Sequence, residues 1–140
     1  MRAIVLVDHG SRRKEANEAF LEVAARYAER SGHPIVEPAH MELAPPTIAE
    51  AFANAVEQGA TEIVIHPYFL FHGRHCSEDI PRMCAEAAAA HPGLRWRLTA
   101  PLGLADGILE VVDERIRQAV DGSGTGAERS GGPESKEDRG

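Results

Sequence analysis

The 140-residue sequence has few cysteines, few basic residues and no long apolar run. Its two cysteines, Cys76 and Cys84, are not in CxxC spacing, so neither a disulfide scaffold nor a cysteine-rich zinc site is indicated. The apolar run at residues 2–8 is too short to cross a membrane and does not have the pattern of a signal peptide. We therefore expect a cytoplasmic protein with reduced thiols and no membrane partner.

Positive charge is also scarce. The chain has 15 Lys and Arg against 22 Asp and Glu, a formal net charge of -7. Proteins that bind nucleic acid draw most of their affinity from clustered basic residues, so we expect no nucleic-acid partner. Neither a GxGxxG nor a P-loop pattern is present, which counts against nucleotide binding. The length is that of one domain with a hydrophobic core.

What the sequence does contain is a regular alternation of strand and helix patterns. Short runs rich in β-branched residues predict strands, and apolar residues at helical spacing predict the segments between them. This order predicts an α/β fold in which helices cover both faces of a four-stranded parallel sheet. The predicted strands are residues 2–8, 34–41, part of 62–71, and 94–100, and the predicted helices begin at Lys14, after Pro46, near Asp79 and near Ile108.

Two boundaries depend on local signals. Asp79 is a typical N-cap residue and Pro81 is tolerated in a first helical turn, so a helix is predicted to begin there after a polar loop over residues 72–78. Residues 122–140 contain no large apolar side chain and cannot offset their own ordering entropy. We therefore predict one folded domain over residues 1–121 and a disordered tail over residues 122–140.

Polar side chains are concentrated at the predicted strand ends. In open parallel sheets, ligands bind beyond the carboxyl ends of the strands, where loops from neighbouring strands converge. Four of the seven histidines are predicted to lie on this rim. The rim residues are 8–13 after strand one, His40 and Glu42 after strand two, and His72, Arg74, His75 and Cys76 after strand three.

Imidazoles are good ligands for Co, Ni, Fe and Zn ions. Two imidazoles leave the coordination shell of a metal ion incomplete, so that the ion can be passed on.

Three segments of the rim also carry a family resemblance. VDHGSR at residues 7–12, ELAPPTI at 42–48 and PYFLFHGRHCSEDIP at 67–81 together resemble the small sirohydrochlorin chelatases of the CbiX/SirB family. The resemblance covers roughly residues 1 to 120, and its third segment is the most specific.

This resemblance implies a chelatase-like (flavodoxin-like) three-layer αβα sandwich, and a class II chelatase that needs no ATP. Such an enzyme inserts a divalent metal, Co²⁺ first and Fe²⁺ or Ni²⁺ as alternatives, into sirohydrochlorin for cobalamin, sirohaem or a nickel cofactor. The metal is a substrate, and no permanently bound cofactor is expected. Longer family members contain two facing halves, so the single half here implies a homodimer.

The resemblance implies that His9 and His75 hold the metal. Metallation of a tetrapyrrole also removes two pyrrole protons, for which Glu42 is the candidate acceptor and His9 a second possibility. Sirohydrochlorin is a polycarboxylate, so basic side chains and free backbone N–H groups are expected around it. The candidates for this role are Ser11, Arg12, Arg13 and Arg74, with Phe69, Leu70 and Phe71 supplying apolar contact.

Several alternatives stay open at this point. His40 and His72 stand where the family commonly has apolar or small residues, and each is as consistent with a metal ligand as with a supporting role. Cys76 is a candidate soft ligand, whereas Cys84 falls on an apolar stripe and is expected to be buried. The competing functions are a metallochaperone without catalysis, and a flavodoxin-like or phosphate-binding α/β domain.

Overall fold

The computed structural model describes residues 1–122, apart from the side chain of His75. Within this range, four strands alternate with four helices, as the sequence predicts. Of the predicted tail, only Gly122 is described, and residues 123–140 lie outside the described part of the chain. The strands are β1 (Arg2–Asp8), β2 (Val36–His40), β3 (Glu62–Pro67) and β4 (Arg95–Leu98), and the helices are α1 (Lys14–Ser31), α2 (Ile48–Glu57), α3 (Arg74–Ala89) and α4 (Asp106–Val120).

The four strands form one parallel sheet in the order β2-β1-β3-β4. β1 therefore lies between β2 and β3, with Asp8 in register with His40 and Val7 in register with Pro67. Because the strands are parallel, the carboxyl ends of these three strands reach the same edge of the sheet. The α/β architecture and the location of the predicted rim are confirmed.

The sheet separates two apolar clusters. Side chains alternate between its faces along β1, so Val5 and Val7 pack with α2 and α3 while Ile4 and Leu6 pack with α1. Phe52 of α2 is fully buried in the larger cluster. Cys84 of α3 is also fully buried there, as predicted, and burial raises the pKa of its thiol to about 12. The sheet with its two helical faces makes the three-layer αβα sandwich.

Local capping signals define two of the helices. α1 ends at Gly32, whose φ of 75° is the left-handed conformation that closes many helices. α2 begins with a capping box in which the Thr47 hydroxyl accepts the N–H of Glu50 at 3.0 Å. The Glu50 carboxylate in turn accepts the N–H of Thr47 at 2.9 Å. The start of α2 agrees with the sequence prediction of a helix after Pro46.

The predicted start of α3 is wrong. The helix begins at Arg74, with Gly73 as its N-cap, and Pro81 lies inside it. The proline removes one backbone donor, but the first turn still closes through a hydrogen bond from Ser77 N–H to the Gly73 carbonyl at 3.0 Å. Burial of Cys76 and Ile80 in the larger cluster offsets the lost bond. Residues 74–78 are therefore helical and do not belong to a loop.

The chain divides into two compact units, Met1–Gly103 and Leu104–Gly140. The first contains the sheet with α1, α2 and α3. The second contains α4, whose apolar residues Ile108, Val112, Ile116 and Val120 recur every four positions, as expected for an amphipathic helix. None of the helices within residues 1–122 combines the length and apolar character that a membrane crossing requires.

A carboxylate links three strands at the amino-terminal part of the sheet. Glu62 of β3 forms ion pairs with Arg2 of β1 and Arg97 of β4, each with an N–O distance of 3.0 Å. The hydrogen bond from Arg2 is the main reason why the pKa of Glu62 lies below its usual value, and the charges of both arginines lower it further against the opposing effect of burial. The ionised form of Glu62 therefore stabilises the folded sheet.

We predict that Glu62→Gln lowers the stability of the protein at neutral pH. A carboxyl whose pKa is depressed on folding contributes stability above its unfolded pKa, and this contribution is lost as the pH falls through the folded value. The difference between variant and wild type should therefore shrink in acid. Urea unfolding at neutral pH and at about pH 3 measures it, with Glu57→Gln at an exposed position of α2 as control. A pH-independent difference would contradict the ion-pair explanation.

Candidate active site

The ends of β1 and β2 are joined by a short backbone ladder. The N–H of Met41 donates to the carbonyl of Asp8 at 2.8 Å, and the N–H of Glu42 donates to the carbonyl of His9 at 3.1 Å. Pairing therefore continues past the last strand residues into both loops. The structure brings His9 and Glu42 to the same point of the rim, as the sequence predicts.

Gly10 makes this close approach possible. Its φ is +88°, and a Cβ placed on it would overlap the carbonyl oxygen of Glu42 and touch the Cβ of His40. Only glycine combines that conformation with the absence of a side chain. After Glu42 the chain turns through Leu43, which adopts a left-handed φ of 75° although it is not glycine. The position of Glu42 is thus set by tight turns on both loops.

His9 is exposed and is held between two groups from the third strand end. Its Nε2 lies 3.3 Å from the Sγ of Cys76, in the first turn of α3. Its ring centroid lies 4.8 Å from that of Phe69, which follows β3. These contacts exist because α3 begins at Arg74, which places Cys76 on the buried side of its first turn.

The Cys76 thiol is buried, and burial raises its pKa above the usual value. The negative charges of Asp79 and Glu42 raise the pKa further, which also shows that Glu42 lies within electrostatic reach of the thiol. A protonated thiol can donate to Nε2 of His9, which then carries its lone pair. The unprotonated nitrogen is the form that binds a metal ion.

The backbone of His75 belongs to the first turn of α3, directly before Cys76. Its side chain lies outside the described part of the structure, so its predicted metal-binding role stays a prediction. Among the side chains that are described, no group of three or more His, Cys, Asp and Glu residues is arranged to hold a metal ion.

The predicted anion-binding residues surround the start of α1 and α3, but their backbone N–H groups are not all free. Ser11 N–H donates to the Asn17 side chain at 3.0 Å, and Arg13 N–H donates to the Ser11 hydroxyl at 3.0 Å. The expectation of free N–H groups is therefore wrong at these two positions, because the α1 start satisfies them internally. The side chains of Arg12, Arg13 and Arg74 are exposed, and Nε of Arg13 lies 3.9 Å from the Glu15 carboxylate.

An open hollow of about 370 Å³ lies beside His9. Of the three predicted apolar residues, Phe69 lines it, whereas Leu70 and Phe71 are exposed on the following turn. The hollow is lined by β1 and its loop, by α1, and by the segment after β3, through Asp8, His9, Gly10, Ser11, Ala19, Phe20, Val23, Tyr68 and Phe69. A flat apolar ligand edge could enter here next to the imidazole.

The two histidines left open by the sequence differ in their surroundings. His40 is fully buried, with its Nδ1 2.6 Å from an oxygen of Asp8. His72 is partly buried, and its ring stands edge-on to Phe69 with centroids 6.4 Å apart. The Asp8–His40 pair was not predicted, although both residues end neighbouring strands and a parallel register pairs them.

The family model for CbiX matches residues 3–119. The chain belongs to the CbiX family. A curated relative is the chloroplastic sirohydrochlorin ferrochelatase of Arabidopsis thaliana, 49% identical over 117 residues, which are 84% of this chain and 52% of the relative. The sirohydrochlorin cobaltochelatase of Methanocaldococcus jannaschii is 47% identical over 83 residues, 59% of this chain and 58% of the relative. This CbiX-family chain therefore spans about half the length of these curated relatives.

Solved structures of CbiX-family proteins share the fold. The sirohydrochlorin chelatase SirB from Bacillus subtilis subspecies spizizenii, in complex with cobalt, matches with a TM-score of 0.78 and 32% identity over 84% of this chain and 50% of that one. A CbiX protein of cobalamin biosynthesis from Marinobacter aquaeolei matches with a TM-score of 0.77 and 28% identity, over 86% of this chain and 98% of that one. These likenesses confirm the chelatase-like αβα sandwich.

The geometry of the CbiX-family rim predicts that Gly10→Ala destabilises the protein by about 2 kcal/mol or more, because the new Cβ adds a clash to an unfavourable φ. Gly32→Ala is the matched control, since Gly32 also has a positive φ but has open space where a Cβ would lie. Gly32→Ala should lower the free energy of unfolding by only about 1 kcal/mol. Urea unfolding measures both values, and equal losses would show that the Glu42 carbonyl is not a steric limit at Gly10.

Proposed function

We propose that this chain inserts a divalent metal ion into sirohydrochlorin or a closely similar tetrapyrrole. The observation that carries the proposal is the meeting of His9, Glu42 and the first turn of α3 at one rim. Membership of the CbiX family supports it, since relatives from a plant and an archaeon are both named sirohydrochlorin chelatases. The reaction requires groups that hold the metal ion, a group that accepts protons and a surface that binds polycarboxylates. Candidate residues for each of these tasks lie on this rim.

His9 and His75 are the proposed metal-holding residues. The exposed imidazole of His9 has its Nε2 beside a protonated thiol, so an incoming metal has only to displace a weak S–H donor. Two imidazoles with water leave open coordination positions. The tetrapyrrole nitrogens can therefore replace the protein ligands one after another, and the reaction needs no ATP and no resident cofactor.

Glu42 is the proposed acceptor of the pyrrole protons, with His9 as the second candidate. The backbone of Glu42 is hydrogen-bonded to the His9 turn, so its side chain would lie within reach of a metal ion held by His9. Each pyrrole N–H that binds the metal releases one proton, and a basic group within reach lowers the barrier to that release. The negative charge of Glu42 also favours the approach of a divalent cation to His9.

The exposed arginines are proposed to bind the carboxylates of the macrocycle. Arg12 and Arg13 lie at the start of α1, and Arg74 is the first residue of α3. The positive ends of these helices add to the attraction, and Ser11, directly before Arg12 in the chain, is a further candidate contact. A metallochaperone would have no need for this basic surface, which favours the enzyme over that alternative.

Co²⁺ is the proposed first metal, with Fe²⁺ and Ni²⁺ as alternatives, and the product would serve cobalamin or sirohaem synthesis in the cytoplasm. We also propose that two copies of the chain face each other to complete the cleft. The match covers 98% of the Marinobacter chain, which supports a form of the family that has a single such unit. Two of these units could then form the two sides of one cleft. Sedimentation velocity with and without tetrapyrrole would test the homodimer.

The direct test is an anaerobic absorbance time course of sirohydrochlorin with Co²⁺, Fe²⁺ or Ni²⁺, compared with the uncatalysed reaction. Faster insertion with one metal supports the chelatase and ranks the metals. Tight metal binding without any acceleration would contradict the chelatase and favour the metallochaperone.

We predict that His9→Ala and His75→Ala lose most of the insertion activity while the fold is retained, because each removes a metal ligand. Glu42→Gln should lower kcat by about 100-fold, since the amide cannot accept a proton. His91→Ala, at a turn after α3, is the control and should leave the rate unchanged. Insertion time courses and circular dichroism check these expectations, and near-normal rates in both His9→Ala and His75→Ala would exclude the proposed metal site.

We further predict that Arg12→Ala and Arg74→Ala each raise the KM for the tetrapyrrole by about threefold with little change in kcat. An exposed ion pair stabilises the bound substrate and the transition state by similar amounts. Its loss therefore weakens substrate binding without slowing the chemical step. Arg26→Ala is a matched control, because Arg26 is an exposed arginine of α1 that pairs with Glu22 at 3.3 Å. The salt dependence of KM should weaken in the two rim variants alone. Unchanged KM in both would remove these arginines from the substrate surface.

A further inference from the structure

We propose that Asp8 and His40 form a positioning pair that holds the His9 turn against Glu42. The inference rests on the proposed function, because it assigns to the pair the orientation of two residues that act in metal insertion. Neither member needs to touch the substrate. The imidazole of His40 is fully buried, and the sequence left its role open between a metal ligand and a supporting residue.

The pair is defined by a single carboxylate oxygen. Asp8 Oδ1 lies 2.6 Å from Nδ1 of His40 and accepts the N–H of Gly10 at 3.1 Å. One atom therefore links a side chain of β2 to the peptide group that directly follows His9. Because Asp8 precedes His9 and Gly10 follows it, the residue between them has limited freedom to rotate.

The backbone on either side is held as well. The carbonyl of His9 accepts the N–H of Glu42, and the carbonyl of Asp8 accepts the N–H of Met41. The Asp8 side chain joins this backbone network to the His40 imidazole, and the direction in which His9 projects therefore depends in part on where that carboxylate lies. A displaced Asp8 carboxylate would release the Gly10 N–H and, with it, the turn.

The chemistry of His40 indicates what its imidazole contributes. A carboxylate accepts hydrogen bonds only, so Nδ1 carries the proton and donates to Asp8. The other nitrogen, Nε2, is buried and has no hydrogen-bond partner within the described residues, and the ring packs 5.7 Å from that of Phe20. An unpaired buried nitrogen destabilises the folded state, so space filling alone would favour an apolar residue at this position. The bond to Asp8 is the contribution that an apolar residue could not make.

Asp8 itself needs this support because it is only partly covered. Its side chain is 22% exposed and lines the hollow beside His9, whereas His40 is completely buried. A lone carboxylate in that place could turn toward water or toward an incoming cation. The buried donor of His40 keeps it directed at Gly10.

Two substitutions distinguish a positioning role from space filling. In His40→Asn the amide nitrogen can occupy the place of Nδ1 and donate to Asp8, whereas in His40→Gln it lies nearer the place of Nε2. His40→Leu fills the space without any donor. The matched control is His66→Gln, since His66 is a β3 histidine whose Nδ1 lies 2.8 Å from the Thr99 hydroxyl instead of Asp8.

The measurements are kcat and KM for Co²⁺ insertion, amide hydrogen exchange at Gly10 by NMR, and thermal unfolding. We expect His40→Gln and His40→Leu to lower kcat by about 10- to 100-fold with little change in the tetrapyrrole KM. Exchange at Gly10 should become faster in both. His40→Asn should restore kcat to within a few fold of wild type and restore protection at Gly10, and His66→Gln should change neither quantity.

Normal kcat together with normal Gly10 protection in His40→Leu would overturn the inference. It would also be overturned if His40→Asn and His40→Gln lost kcat equally and the losses simply tracked their unfolding temperatures. If the Gln and Leu variants do not fold, Asp8→Ala replaces them, because it removes the oxygen that accepts both N–H groups. Normal protection at Gly10 in that variant would also overturn the inference. If the wild-type protein does not accelerate insertion, the proposed function is wrong. Exchange at Gly10 then still decides whether His40 positions the turn.

Discussion

The close approach between the loops after β1 and β2 is the constraint on which the candidate site depends. Gly10 packs directly on the carbonyl of Glu42, and two backbone hydrogen bonds join the same segments. A parallel pair of strands brings such loops to one edge, but it does not make them touch. Contact requires a residue without a side chain at the crossing point. The backbones of His9 and Glu42 are thereby held next to each other.

The first turn of α3 completes the site from the other side of β1. It adds Cys76 against His9 and presents Arg74 and the backbone of His75 at the same rim. The acidic chain thus combines exposed arginines at the starts of α1 and α3 with a glutamate whose backbone is hydrogen-bonded to the His9 turn. In the proposed reaction these two kinds of charge would serve different partners, because the incoming metal ion is a cation and the periphery of the macrocycle is anionic. The separation of charge along the rim is consistent with a reaction between a cation and a polycarboxylate.

Most of the fold could be predicted from the sequence. The starts of α1 and α2 were predicted because the helical spacing of apolar residues and the break at Pro46 act within a few residues. The α3 start was misplaced because Asp79 and Pro81 imitate a helix start, while the burial of Cys76 and Ile80 that extends the helix is a tertiary effect. The N–H groups at Ser11 and Arg13 were expected to be free, but the nearby side chains of Asn17 and Ser11 accept them. Such local contacts depend on the side-chain and backbone geometry at the start of α1, which residue spacing alone does not give.

By itself, the sequence determined the order of strands and helices, the parallel sheet and the edge at which His9, Glu42 and the arginines meet. These follow from hydrophobic periodicity and from the handedness of strand-helix-strand connections, which depend on residue type and spacing. Only the tertiary structure decided that Asp8 bonds His40, that Cys76 meets His9 and that Gly10 lies on Glu42. Such contacts join residues far apart in the chain, and their geometry depends on register and packing to within an ångström, which no periodic pattern encodes.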